Sequence, residues 1–176
     1  PETGKSLGWE QSNSVDIMSC ELAPNCRVGS TSWNKKTANW LGRYIYARTG
    51  GSLFITYSMS AFWHGFYPGY YMFFLSLPLL TACERLGRRK LSPRAEAVVG
   101  TSWYSPWGLT TILVTELAMV YFGAPFMLQS WDWSYRMLRS NSFAGHVLCG
   151  VFFVVVSMIP DPKIETKTKT KTRTKT

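Results

Sequence analysis

The side chain best suited to chemistry in this chain is His64, set in Phe62-Trp63-His64-Gly65-Phe66-Tyr67-Pro68-Gly69-Tyr70. From Thr49 to Cys83 there is no Asp, Glu, Lys or Arg, so its imidazole is the one group in that run that titrates near neutrality. An ionisable group at membrane depth is costly and usually has a job. An imidazole can take or release a proton at physiological pH. The plainer reading is a helix–helix hydrogen-bonding group without a catalytic role. The surrounding residues favour chemistry. Gly65, Pro68 and Gly69 break regular backbone, and Trp63, Tyr67, Tyr70 and Tyr71 supply aromatic walls. In such a pocket the protons to be moved are those of a bound substrate.

Asn34 is the second candidate. It opens a segment containing Thr37 and Trp40. Its amide can serve as an N-cap, accepting a backbone N–H, or as a catalytic amide, and its position in the sequence leaves both open. His146, at the start of the last apolar stretch, reads as an interfacial or packed histidine. Glu116 reads first as a structural group, pairing within a bundle or lining a cavity. The chain has no nucleophile elbow, phosphate-binding glycine loop or metal-ligand cluster. The four cysteines lack zinc-like spacing; Cys83 and Cys149 sit in apolar segments, and Cys20 and Cys26 share a polar one where a disulfide is conceivable.

These residues need elements that an ordinary soluble domain does not provide. Aromatic residues make up 15% of the 176, with 8 Trp, clustered in runs almost free of charge. The mean hydropathy of −0.04 is near neutral because polar ends dilute those runs. The expected fold is all-α: a polytopic transmembrane helix bundle, the C-terminal piece of a longer membrane protein. Residues 1–32 read as a polar loop. Residues 34–48 read as an amphipathic helix with Trp40, Leu41, Tyr44 and Ile45 on one face, fringed by Lys and Arg, suited to a membrane interface or to packing on protein. The apolar run over 50–83 would be roughly 50 Å long as one straight helix, well beyond a ~30 Å hydrocarbon core. Pro68 disfavours helix at Tyr67, so the expectation is a broken or re-entrant pair over about 52–64 and 69–83. Irregular backbone at that depth must be buried in protein or face a wet cavity, which places a chamber beside His64. Further spans are expected over 107–128, with a break near Pro125, and over 143–159, with a basic loop at 84–104 and a polar turn at 130–142.

The formal charge of +9 is concentrated in Arg85–Arg94 and in the Thr/Lys tail. These charges flank apolar spans, which argues against a nucleic-acid-binding face and for cytoplasmic loops. Two spans separate the basic loop from the tail, so both fall on one side. The tail, 160–176, reads as a disordered low-complexity segment able to touch anionic headgroups.

The motifs then become specific. Trp63-His64-Gly65-x-x-Pro68-Gly69-Tyr70-x-x-Phe73 resembles the signature of the membrane-bound O-acyltransferases (MBOAT), in the form carried by their lysophospholipid acyltransferase branch. Trp33-Asn34-x-x-Thr37-x-x-Trp40-Leu41, with Arg43-Tyr44-Ile45-Tyr46, is similar to that branch's asparagine motif, and Tyr121-x-x-x-Pro125-Phe126-x-Leu128 to a later one. The resemblance covers about 14–158 and implies a partial MBOAT fold over 33–159. It implies transfer of a fatty acyl group from acyl-CoA to the hydroxyl of a lysophospholipid in the endoplasmic reticulum membrane. His64 would be the general base and Asn34 its assistant, with Trp63, Tyr67, Tyr70 and Tyr71 near the substrate. Acyl-CoA is then a co-substrate, and no metal or other cofactor is needed. Family members carry further helices before this region that complete the chamber. A rival within the superfamily acylates a protein, sterol or diacylglycerol; outside it, a non-catalytic membrane scaffold remains.

Overall fold

The computed structural model describes residues 13–162. The first part of the expected N-terminal loop (1–12) and most of the expected tail (163–176) lie outside the described residues. The described chain is all-α, as expected. It comprises α1 (Ile17–Glu21), α2 (Cys26–Trp33), α3 (Lys35–Leu41), a π-helical turn (Gly42–Tyr46), α4 (Leu53–His64), α5 (Pro68–Lys90), α6 (Ser92–Val99), α7 (Pro106–Leu128), α8 (Trp131–Ser140) and α9 (Ala144–Met158).

Short polar side chains start many of these helices. Asn25 Oδ1 accepts from the Val28 N–H at 2.9 Å, Ser52 Oγ from Ile55 at 3.3 Å and Ser105 Oγ from Gly108 at 3.1 Å, each satisfying a donor that the first helical turn leaves unpaired. Capping also explains the first departure from expectation. Asp16 and Asn25 cap α1 and α2 within the stretch read as loop. The basic segment 84–104 is largely helical too. Its first residues extend α5 to Lys90, and α6 follows with Pro93 in its first turn, where a missing N–H costs nothing. The expected turn at 130–142 is α8, whose Trp131, Tyr135 and Leu138 recur at helical spacing. Finally, α7 passes through Pro125 without a break. That proline lies in the last turn, where one lost bond is tolerated and the helix ends anyway.

The break at the histidine stands as expected. Gly65 closes α4 with φ 120°, a conformation open to glycine and strained for other residues. Its N–H reaches back to the Ala61 and Phe62 carbonyls, both at 3.2 Å. Pro68 then opens α5 at its first position.

Helix α5 is central and packs on α4, α7 and α9. The core between them holds Ala61, Phe74, Leu77, Leu80 and Phe122. At the far end of α5, the Lys90 ammonium is buried against the end of α9, donating to the Ser157 carbonyl at 2.7 Å and to that of Ile159. Arg94 Nη2 reaches the Pro160 carbonyl at 2.8 Å. The basic segment and the root of the tail therefore share one end of the molecule.

The outer surfaces are apolar. Helix α7 is long and apolar enough to cross a membrane, and only 17% of its most apolar window is buried. Leu109, Leu113, Val114, Leu117 and Val120 face outward, the reverse of a soluble core helix. Helices α8 and α9, bent by 61° at their junction, meet the same length and composition test only as a pair. Among the described residues, length and composition alone thus single out one helix, or two crossings if the bent pair counts as one. On the amphipathic segment, Trp40 and Tyr44 are exposed, and the Arg48 guanidinium lies 5.5 Å from the Tyr44 ring centroid.

Cys20 and Cys26 are free thiols, as are Cys83 and Cys149. The N-terminal helices dock through Glu84, whose Oε2 accepts from the Cys26 N–H at 3.0 Å and whose Oε1 pairs with Arg88 at 3.1 Å. Burial, aided by the Glu84 carboxylate, pushes the Cys26 thiol up to about 12. The thiolate is the reactive form, so Cys26 should alkylate far more slowly than a free cysteine. Timed maleimide labelling read by mass spectrometry tests this. The rate should recover on unfolding, and labelling of native Cys26 as fast as that of an exposed thiol would contradict the docking of α2 on α5.

Candidate active site

His64 ends α4, and the Gly65–Tyr67 break turns the chain so that the first turns of α5 face its imidazole. Four rings surround it. The centroids of Trp63, Tyr70, Phe74 and Phe126 lie 5.2, 5.5, 5.1 and 5.3 Å away, with Phe74 stacked nearly parallel and Phe126 edge-on. His64 is half-buried, and among the described residues it makes no hydrogen bond.

The cage is closed by an unusually tight helix junction. Gly69, in the first turn of α5, sits against the end of α7: a Cβ there would fall 2.1 Å from the Pro125 carbonyl oxygen and 2.8 Å from Gln129 Cα. The Gly69 N–H donates to the Gln129 carbonyl at 3.3 Å, and Gln129 Nε2 donates to the Tyr70 hydroxyl at 2.8 Å. Gln129 is left-handed (φ 57°) and caps α7 through its own N–H on Pro125. The Pro-Gly-Tyr string and the Pro125-Phe126 string are thus two halves of one joint, and the joint sets Phe126 against His64.

Asn34 is the N-cap of α3, its Oδ1 accepting from the Thr37 N–H at 3.2 Å. It does not hydrogen-bond His64. The same helix nevertheless reaches the site's edge: Lys36, Thr37 and Trp40 line a cavity of about 300 Å³ together with Trp63. With one oxygen lone pair engaged, the amide keeps both N–H donors for another partner. Of the expected aromatic wall, Trp63 and Tyr70 touch the imidazole. Tyr67 touches Tyr70 instead, at 5.7 Å. Tyr71 points to the other face of α5, where it lines a separate cavity of about 650 Å³ between α5, α8 and α9. Phe74 and Phe126 were not anticipated as cage members. Phe74 follows Tyr70 by one helical turn, a signal present in the sequence, whereas Phe126 arrives only through the helix junction.

Two further groups resolve. His146 is doubly hydrogen-bonded, Nε2 with Ser76 Oγ at 3.1 Å and Nδ1 with the Tyr121 hydroxyl at 3.2 Å, which matches its reading as a packed histidine. Glu116 is half-exposed on α7 and forms no hydrogen bond or ion pair among the described residues, so of its two expected structural roles the pairing is not seen there. No group of three His, Cys, Asp or Glu able to hold a metal occurs among them either.

The described residues thus form an all-α assembly with a long, apolar, outward-facing helix and a half-buried imidazole at a helix break against aromatic rings. The chain belongs to the membrane-bound O-acyltransferase family, whose model matches residues 6–96. It is 31% identical to Lysophospholipid acyltransferase 6 of Drosophila melanogaster over 143 residues, covering 80% of this chain and 19% of that protein. It is 31% identical to human Membrane-bound glycerophospholipid O-acyltransferase 2 over 160 residues, covering 90% of this chain and 30% of the relative. The yeast Lysophospholipid acyltransferase is 29% identical, with 85% and 26% covered. The chain spans under a third of the length of each of these relatives.

Proposed function

We propose that the whole protein is an acyl-CoA-dependent lysophospholipid O-acyltransferase with His64 as general base. The observation that carries this reading is the unpaired imidazole in an aromatic cage at the α4–α5 break. A lysophospholipid hydroxyl is a weak nucleophile. His64 takes its proton as the oxygen attacks the thioester carbonyl, and the imidazolium returns a proton to the departing CoA sulfur, so the base is regenerated. The developing oxyanion needs a donor, and the Asn34 side-chain N–H is the group assigned to it. The thioester is already activated, so the reaction requires neither a metal nor a covalent enzyme intermediate. Trp63 and Tyr70 would contact the substrate beside the base, and exclusion of water by the cage would limit thioester hydrolysis.

In this reading the protein is a multi-pass bundle of the endoplasmic reticulum membrane, residues 33–159 forming the C-terminal part of its acyltransferase domain. The α4–α5 pair is a broken span, and α7 and α9 complete the region. Positive-inside bias places 84–104 and 160–176 on the cytoplasmic side. The contacts of Lys90 and Arg94 with the end of α9 are consistent with a shared side. Its partners are acyl-CoA, the lysophospholipid and membrane lipid, and not nucleic acid.

The test offers the purified whole protein acyl-CoA together with several lysophospholipids, a sterol, diacylglycerol and a peptide hydroxyl. A diacyl phospholipid is the expected product. Product from the other acceptors alone would overturn the assignment.

A further inference from the structure

We propose that His146 is a positioning residue for His64. It ties α5 and α7 together beside the cage and so fixes the spacing of Phe74 and Phe126, two rings that pack on the imidazole and on each other. The proposal rests on the acyl-transfer reading for its activity test and on geometry alone for the rest.

The hydrogen bonds define the state of the ring. Ser76 Oγ donates its one proton to the Met72 carbonyl at 2.7 Å. It can only accept from His146, so Nε2 carries a hydrogen. In the neutral ring Nδ1 is then an acceptor, and Tyr121 donates to it. In this arrangement the serine proton points away from the imidazole, the reverse of a serine–histidine nucleophile pair. What it provides instead is a cross-link among three helices: Ser76 from α5, Tyr121 from α7 and His146 from α9.

The cross-link lies next to the cage. Ser76 is two residues from Phe74, the ring stacked on His64. The buried Phe122 packs on His146 at 4.9 Å and lies one helical turn before Phe126. Helix α9 comes unusually close here, since a Cβ on Gly145 would fall 2.3 Å from the Tyr121 ring. Loss of the cross-link lets α5 and α7 separate at the level where their rings hold the base. A displacement of about 1 Å in reacting geometry can cost on the order of 10²-fold in rate.

The experiment compares the whole wild-type protein with His146→Leu, Tyr121→Phe and His146→Gln, the last able to keep a donor and an acceptor. Turnover and KM are measured with acyl-CoA and lysophospholipid, alongside the carbethoxylation rate of His64 by mass spectrometry. For His146→Leu the expectation is ~10-fold lower kcat, KM within about twofold and His64 modified at least ~3-fold faster. Tyr121→Phe should show a smaller effect in the same direction, and His146→Gln should recover most of both readouts. Unchanged kcat and unchanged labelling in His146→Leu would overturn the proposal. So would complete loss of turnover with unchanged His64 labelling, which would make His146 a base in its own right. If His146→Leu does not fold, Tyr121→Phe, which removes one oxygen, decides by the same two readouts. If wild type acylates no lysophospholipid, the functional reading fails, and the His64 labelling still decides the positioning role.

Discussion

Replacing His64 with alanine in the whole protein is expected to lower acyl transfer by about 10²- to 10⁴-fold, the usual contribution of a positioned general base. Expression and membrane insertion should be retained. The imidazole makes no hydrogen bond among the described residues, so its removal leaves no buried partner unsatisfied. The loss is confined to ring contacts with Phe74, Phe126, Tyr70 and Trp63. Initial rates with saturating acyl-CoA provide the measurement, and turnover within a few-fold of wild type would move the base elsewhere. Asn34 needs a finer substitution. Asn34→Ala deletes both the cap on Thr37, worth about 1 kcal/mol, and the amide donor. Asn34→Asp keeps an oxygen for the cap and removes the donor. If the amide stabilises the oxyanion, Asn34→Asp loses turnover while the helix persists; if Asn34 is only a cap, Asn34→Asp stays active.

The second large effect is expected at Gly69. An added Cβ meets the Pro125 carbonyl oxygen at 2.1 Å and two backbone atoms of Gln129 below 3 Å. Backbone cannot swing aside like the end of a side chain, so α5 and α7 must part. Gly69→Ala should cost about 1–3 kcal/mol or more through overpacking, and it should break the contacts to Gln129 that hold Tyr70. It also moves Phe126 away from His64, so turnover should fall by on the order of 10²-fold even in protein that folds. Gly123 is the matched control. It lies nearby on α7 with nothing within 4 Å of its Cβ position, and Gly123→Ala should be neutral or slightly stabilising, because alanine is the better helix former by about 1 kcal/mol. Thermal unfolding and turnover of the two variants side by side test the junction. Equal behaviour would show that Gly69 is not a close-contact position.

Much of the site was legible from residue types. Gly65 and Pro68 after His64 specify a histidine at a helix break because each of those residues restricts backbone locally. Trp63 and Tyr70 follow from adjacency. What escaped reading depended on partners distant in sequence. Phe126 enters the cage only because α7 ends on Gly69. Ser76 carried no signal of its own, and nothing in the motif that contains Tyr121 linked it to His146 until α9 brought the imidazole between them. The helices within 84–104 and 130–142 were concealed by charge and polarity, which mark a loop less reliably than caps and periodicity mark a helix. Ser92-Pro93 and the Trp131, Tyr135, Leu138 spacing carried that signal. Pro125 was over-read as a break, because a proline's effect depends on how many turns follow it, and here the helix was already ending.

The joint between Gly69 and Pro125 has a consequence for how the protein is made. Translation delivers α4 and α5 first, and the ring of Phe126 emerges only about sixty residues after His64, several seconds later at roughly 5–20 residues per second. During that interval the nascent chain holds a histidine without its enclosure. The ring contacts of His64 are complete only when α7 docks, so on the proposed reading catalytic readiness is tied to completed assembly and not to synthesis of the motif that bears the histidine.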